Sequence, residues 1–367
     1  MGKLRAGDWV EVRSKEEILH SLDKSGRLDE LPFMPQMFQY CGKQFRVFKR
    51  AHKTCDTISG KYLGRRLSNA VHLDLRCDGQ AYGGCQAACL IFWKEAWLKP
   101  VNQATESSST CVQFQRPESV NKGSCTEDDV WQGTCAQRQA GSAPRYFCQA
   151  TELLNFTTPL AWYDFRQYVE DYRSGNATLH RMLRGFIYVA YYYGSLSYRG
   201  RSGSPGRWLY DWFQKRWGGI PYPRRKGNLP LGTAGPVANL DLQPGELVRV
   251  KPFEAILSTI SVNYMNRGMA FDAELVPYCG GTYRVKASVS KFIDEKTGQM
   301  RFMKTPAVIL EGVHCRSCYS DNRMFCPRSI YSWWREVWLE RVSEKPAVDM
   351  KRGVENDLRA FSAGRDG

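Results

Sequence analysis

Short runs of alternating apolar and polar residues occur at two distant places in this chain, and the two places match. Trp9-Val10-Glu11-Val12 follows Gly7, and Leu247-Val248-Arg249-Val250 follows Gly245. A period of two predicts half-buried β-strands at both. Each strand leads into a Tyr-Cys-Gly step, Tyr40-Cys41-Gly42 and Tyr278-Cys279-Gly280. An aromatic-Arg-Val triplet comes next, Phe45-Arg46-Val47 and Tyr283-Arg284-Val285. Helical turns are predicted between these strands at 16–22 and 253–260. Later apolar runs, Ala70-Val71-His72-Leu73 and Ala307-Val308-Ile309-Leu310, predict a further strand in each copy. Each copy closes on matched aromatics, Trp93, Glu95, Trp97 and Leu98 against Trp334, Glu336, Trp338 and Leu339. Tryptophans at i and i+4 share one face of a helix, so amphipathic helices are predicted over 90–99 and 330–341, packing their Trp face into a core. The chain therefore contains one structural unit twice.

Short strands joined by turns and a short helix, in fewer than ~80 residues, suit a small SH3-like β-barrel. The expected fold class is α+β. Two such barrels, each with a C-terminal helix, would occupy 1–101 and 245–345. They would flank a middle region at 102–244 that carries cysteines and helices, with a loose tail at 346–367. In the middle, 102–110 reads as a polar linker and 111–150 holds four cysteines. Helices are predicted at 162–172 and 178–193, the second with Leu179, Met182, Leu183, Phe186, Ile187 and Ala190 on one face. A Gly-, Pro- and Arg-rich connection with a short helix near 208–217 follows. The most apolar stretch, 185–196, is shorter than the ~18 residues that span a bilayer. No membrane association is expected, and the N-terminus lacks the apolar core of a signal peptide. A cytoplasmic protein is expected.

Composition sharpens this in two ways. The 367 residues carry a formal charge of +15, which favours an anionic partner: an acidic protein or redox partner, or nucleic acid. The basic residues are spread along the chain rather than gathered in one stripe. There are also 13 cysteines. In a reducing compartment clustered cysteines point to metal binding rather than disulfides. The first copy offers His52, Cys55, Cys77, Cys85 and Cys89, of which the four cysteines are expected to hold one centre. The second offers Cys315, Cys318 and Cys326, with a fourth ligand unassigned. Cys148 and Cys125 are the first choices to complete an unfinished set. Two registers are open: Cys77 matches Cys318 by preserved spacing, or Cys315 by its distance from the preceding strand. Cys41 and Cys279 read as small buried hydrophobes at a tight turn, with a metal-ligand role as the alternative. Soft thiolates suit zinc or iron–sulfur clusters. The irregular spacings and single CxxC favour a [4Fe–4S] cluster, with zinc as the alternative. No Walker A loop or dinucleotide fingerprint is present, and the five histidines lack a triad-like setting.

Several motifs, Gly84-Cys85-Gln86-Ala87-Ala88-Cys89, Phe147-Cys148-Gln149-Ala150 and Phe325-Cys326-Pro327-Arg328 among them, resemble an uncharacterised family of Cys-rich bacterial proteins. That resemblance implies no activity. The two halves are similar to the SH3-like domains of nitrile hydratase β subunits and to KOW modules, which implies a barrel and nothing about function. The expected role is electron transfer or metallocluster-assisted biosynthetic chemistry. The alternative is a zinc-stabilised module that binds nucleic acid or a ribonucleoprotein.

Overall fold

The computed structural model describes residues 3–60, 63–101, 125–136, 143–197, 205–320 and 322–342. The 102–110 linker, Cys111 and the 346–367 tail lie outside them.

The repeat holds hydrogen bond by hydrogen bond. Val47 and Val285 carbonyls accept from Gly7 and Gly245 N–H, each at 2.8 Å. Trp97 and Trp338 carbonyls accept from Arg13 and Lys251 N–H, each at 2.9 Å. In both copies the opening strand, Trp9–Val12 or Leu247–Val250, is the centre of a three-strand antiparallel group. Its neighbours are Gln44–Arg46 and Leu98–Pro100 in the first copy, and Thr282–Ile293 and Leu339–Arg341 in the second. Copy two continues through Met300–His314 to Tyr331–Trp334, making one five-stranded sheet. In copy one the equivalent strands, Lys49–Arg50, Ala70–His72 and Trp93–Lys94, form a separate sheet.

Neither copy is an SH3-like barrel. The five-stranded sheet runs from Tyr331–Trp334 at one edge to Leu339–Arg341 at the other, and the two edges do not pair. Among the described residues every sheet is open. The closing helices are also absent. Residues 93–100 form a two-residue strand, a 3₁₀ turn at Glu95–Trp97 and a final strand, and 331–341 do the same around Glu336–Trp338. One turn between two strands sets the paired tryptophans four residues apart, just as a helix would. Strand pairing wins because it satisfies the backbone of this segment while burying Trp93, Trp97, Trp334 and Trp338 completely. Their predicted core role therefore holds. Trp97 donates its indole N–H to Ser21 Oγ at 3.2 Å, and Trp338 donates to Thr259 Oγ1 at 2.9 Å, so this one tryptophan has a hydroxyl partner at the same place in each copy, while the indole N–H groups of Trp93 and Trp334 have none.

In the middle region the predicted helices form at Arg166–Arg173, Leu179–Ser197 and Pro205–Arg216. Among the described residues no helix is long and apolar enough to cross a membrane.

One buried group in the first core makes stability depend on pH. His72 is fully buried, with Nδ1 2.8 Å from the Ile91 carbonyl. Burial, opposed by that carbonyl and reinforced by Lys49, Arg328 and Arg76, holds its pKa down to about 3. The unfolded imidazole titrates near ~6.5. Between these values the unfolded chain binds the extra proton, so the stability is intact above pH ~6.5 and is lost as pH falls towards 3. Across that window the loss amounts to ~5 kcal/mol. Urea unfolding at stepped pH should show this slope, and His72→Leu should flatten it; an unchanged slope would remove His72 as its source.

Candidate functional site

The loop after Ala70–His72 makes a tight reversal, and the next strand begins at Trp93. Cys77 N–H donates to the Cys89 carbonyl at 2.9 Å across its base. The equivalent bond in copy two runs from Cys315 N–H to the Ile330 carbonyl at 2.8 Å. This decides the register: Cys77 corresponds to Cys315, and Cys89 to Ile330. Ala88 and Ser329, one residue earlier, both take positive φ, 48° and 44°, so the two loops share a strained step at the same point.

The first loop places Cys77, Cys85 and Cys89 around one cavity of about 40 Å³, and Cys148 completes the ring. One water needs ~10–15 Å³, so this is room for something larger. Met34, Tyr82, Leu90, Phe92 and Ile293 supply the apolar wall. Cys148 reaches the ring because its neighbour Gln149 is pinned. Gln149 Oε1 accepts from Phe92 N–H at 2.8 Å, and its Nε2 donates to the Phe92 and Pro32 carbonyls, both at 3.0 Å. A buried amide thus stands in for a neighbouring strand. Donors converge on the sulfurs. Gln36 Nε2 lies 3.1 Å from Cys77 Sγ, and Ile293 N–H lies 3.4 Å from Cys85 Sγ. The backbone N–H groups of Thr151 and Ala150 face Cys148, and that of Gly79 faces Cys77. Burial pushes the Cys77 and Cys89 thiols well up and Cys148 to about 11. The long hairpin of copy two closes the site from above. Gln86 Oε1 accepts from Ser290 N–H at 2.7 Å and Lys291 N–H at 3.0 Å, and Lys291 Nζ donates to the Gly83 carbonyl at 3.0 Å.

Cys55 is not in this ring. It lies on Lys53–Cys55, a strand paired with Gly64–Arg66, and hydrogen-bonds through sulfur to Cys326 of the second copy. The bond from Cys326 and the nearby Arg328 lower Cys55, while the same bond and burial raise Cys326. Cys315 interacts electrostatically with Cys55 and Cys326. Cys318 accepts from Arg181 Nε at 3.2 Å. The structure thus separates Cys55 from Cys77, Cys85 and Cys89: Cys148 shares their cavity, and Cys55 lies beside Cys326 and near Cys315, with Cys318 packed elsewhere against Arg181 and Tyr319.

The other candidates fall outside both groups. His52 Nε2 lies 3.2 Å from Asp171 Oδ1 and 3.3 Å from the Gln167 carbonyl, in a buried polar network. Cys125 packs in the first core, with its sulfur 3.4 Å from the Thr126 carbonyl. Cys41 and Cys279 cap matching 3₁₀ turns and are half-buried. Among the described residues no three or more His, Cys, Asp or Glu side chains form a group that could hold a metal ion. That finding supports neither the [4Fe–4S] expectation nor the zinc alternative. Sequence reasoning missed Gln149, Gln36 and Arg328. Buried polar residues beside cysteines were the available signal, but burial is not visible in a sequence.

Comparison with protein-family models, with curated proteins and with solved structures finds no match for this chain. The family resemblance, and the likeness to nitrile hydratase β and KOW units, are withdrawn on that result and on the open sheets.

Proposed function

We propose that Cys77, Cys85, Cys89 and Cys148 hold a [4Fe–4S] cluster and that the protein carries electrons in a reducing compartment such as the cytoplasm. The observation that carries this reading is the ring of four thiols around one enclosed, mostly apolar cavity. A zinc ion draws four sulfurs to ~2.3 Å from a single point. A cluster instead needs one thiolate at each of several irons, with room between them. A cavity walled by four thiols suits the second case. Donors aimed at sulfur, and a wall that excludes water, are the features that set a cluster's potential. The twelve described cysteines are free, which supports a reducing compartment. The +15 charge supports an acidic protein as the electron-exchange partner. The nucleic-acid alternative rested on the basic charge and on KOW-like barrels, and it loses the barrels.

Protein purified without oxygen should be brown, with broad visible absorption and iron matched by acid-labile sulfide. Cys77→Ser should remove at least half of that iron. Colourless protein, or zinc in place of iron, would overturn the proposal.

A further inference from the structure

We propose that a cavity of about 390 Å³, where residues 3–5, the strand Lys49–Arg50 and the helix Arg166–Arg173 meet, binds a small phosphate monoester carried on a flat ring, as in a nucleoside monophosphate. It shares no lining residue with the thiol cavity, so it stands whatever those thiols hold. Its volume lies within the ~300–1,000 Å³ of small-molecule sites. The helix turns one face to it: Arg166, Val169, Glu170 and Arg173 recur at helical spacing along the wall. The other walls are tied to that helix. Ala6 N–H donates to the Ser174 carbonyl at 2.9 Å, and Arg5 Nε donates to the Arg173 carbonyl at 2.7 Å. The buried Asn176 amide accepts from Arg50 N–H at 2.9 Å and donates to the Arg50 carbonyl at 2.8 Å.

Charge decides the class of ligand. Lys3, Arg5, Arg50, Arg166 and Arg173 line the cavity, against the one carboxylate of Glu170. Arg166 pairs with Asp164 at 2.9 Å, and Arg50 pairs with Glu95 at 2.6 Å and Glu170 at 3.1 Å. Asp8 bonds only the backbone N–H of Arg5, at 2.7 Å. The side chains of Lys3, Arg5 and Arg173 have no carboxylate partner among the described residues. Cations left over around one concavity concentrate an anion there, and a doubly charged one more than a singly charged one.

Arg50 supplies the fixed group. It is 3% exposed, its Nη1 is taken by the Leu4 carbonyl and Glu95, and its Nε by Glu170. Its Nη2 has no partner among the described residues, and its side chain lines the cavity. Guanidinium N–H groups held in place in this way suit phosphate oxygens, to which they give short, charge-assisted bonds. The ring is implied by Phe165, which lines the cavity with 71% of its surface exposed, next to Val169 at 42%. A flat base stacks on such a ring while its phosphate reaches the guanidiniums.

Isothermal titration calorimetry of the full-length protein with adenosine 5′-monophosphate tests this. One site per chain is expected, with affinity falling as salt is raised. Arg166→Ala and Arg173→Ala should each weaken binding about ten-fold or more, the loss of one charge-assisted bond. Phe165→Ala should weaken it about five-fold or more, and inorganic phosphate should bind less tightly than the nucleotide. Arg216→Ala, at a basic residue that does not line the cavity, should leave affinity unchanged. All four side chains are exposed, so the variants should fold, and far-ultraviolet circular dichroism checks each. No binding of the nucleotide at millimolar concentration would overturn the proposal. So would a loss in Arg216→Ala equal to that in Arg173→Ala, which would mean diffuse attraction to a basic surface. Binding of a single-stranded oligonucleotide without binding of the monophosphate would also overturn it. Phosphate bound as tightly as the nucleotide, with Phe165→Ala silent, would overturn the ring.

Discussion

Gly79→Ala should cost ~3 kcal/mol or more in unfolding free energy and, on the proposed cluster reading, lower the iron content of the purified protein. Gly79 sits at φ +73°, directly after Cys77-Asp78, and its carbonyl accepts from Tyr82 and Gly84 N–H, each at 2.9 Å. The turn is so tight that a Cβ there would lie 1.9 Å from the Cys85 carbonyl oxygen and 2.8 Å from the Cys85 carbonyl carbon and nitrogen. Those atoms are backbone and cannot swing aside. The loop must open, and Cys77 and Cys85 must part. Gly42→Ala is the control. Its φ is +72°, but nothing lies within 4 Å of the new Cβ. That variant should therefore show only the ~1–2 kcal/mol intrinsic cost of a left-handed alanine, with iron retained. Equal losses in the two variants would mean that the turn relaxes freely.

Asp171→Leu should be comparably severe, at ~3–5 kcal/mol, because it strands a buried charge. Asp171 is fully buried and Lys53 is 2% exposed; Lys53 Nζ meets Asp171 Oδ2 at 2.6 Å and Gln167 Oε1 at 3.2 Å. The ammonium also lies 4.9 Å from the Tyr168 ring centre and 5.8 Å from that of Phe325. One ion pair thus ties the helix Arg166–Arg173 to the strand that bears Cys55, and to the loop that bears Cys326. Removing both charges removes the stranded ammonium, so Lys53→Met with Asp171→Leu should recover much of the loss. A double-mutant cycle by urea unfolding reads this directly. Additive losses would show that packing of the two side chains matters and their pairing does not.

The internal repeat was legible because matched residues, Trp9 to Val12 and Leu247 to Val250, sit at equal distances from matched cysteines. The closing tryptophans were legible as core and misleading as helix. Spacing of four residues is shared by one helical turn and by a strand–turn–strand corner, and only the pairing of 93–94 with 70–71 separates them. The barrel failed for a related reason. Alternation predicts strands, but whether two edges meet depends on how far the chain travels between them.

The sequence by itself determined that cysteines would gather at the ends of two equivalent units, since local spacing puts Cys77, Cys85 and Cys89 on one loop and Cys315, Cys318 and Cys326 on another. Which cysteine completes each group was decided by tertiary structure alone. Cys55 meets the second copy because its strand pairs with Gly64–Arg66, sets Lys53 over the Phe325 ring and brings its sulfur to Cys326, while Cys148 enters the first because the Gln149 amide is bonded to both the N–H and the carbonyl of Phe92. The Gln149–Phe92 contact joins residues 57 positions apart, and Arg328 Nη1, which donates to Thr57 Oγ1 beside Cys55, reaches across 271. A sequence records which residues are near along the chain; nearness across it is set by how buried polar groups and core side chains are satisfied together.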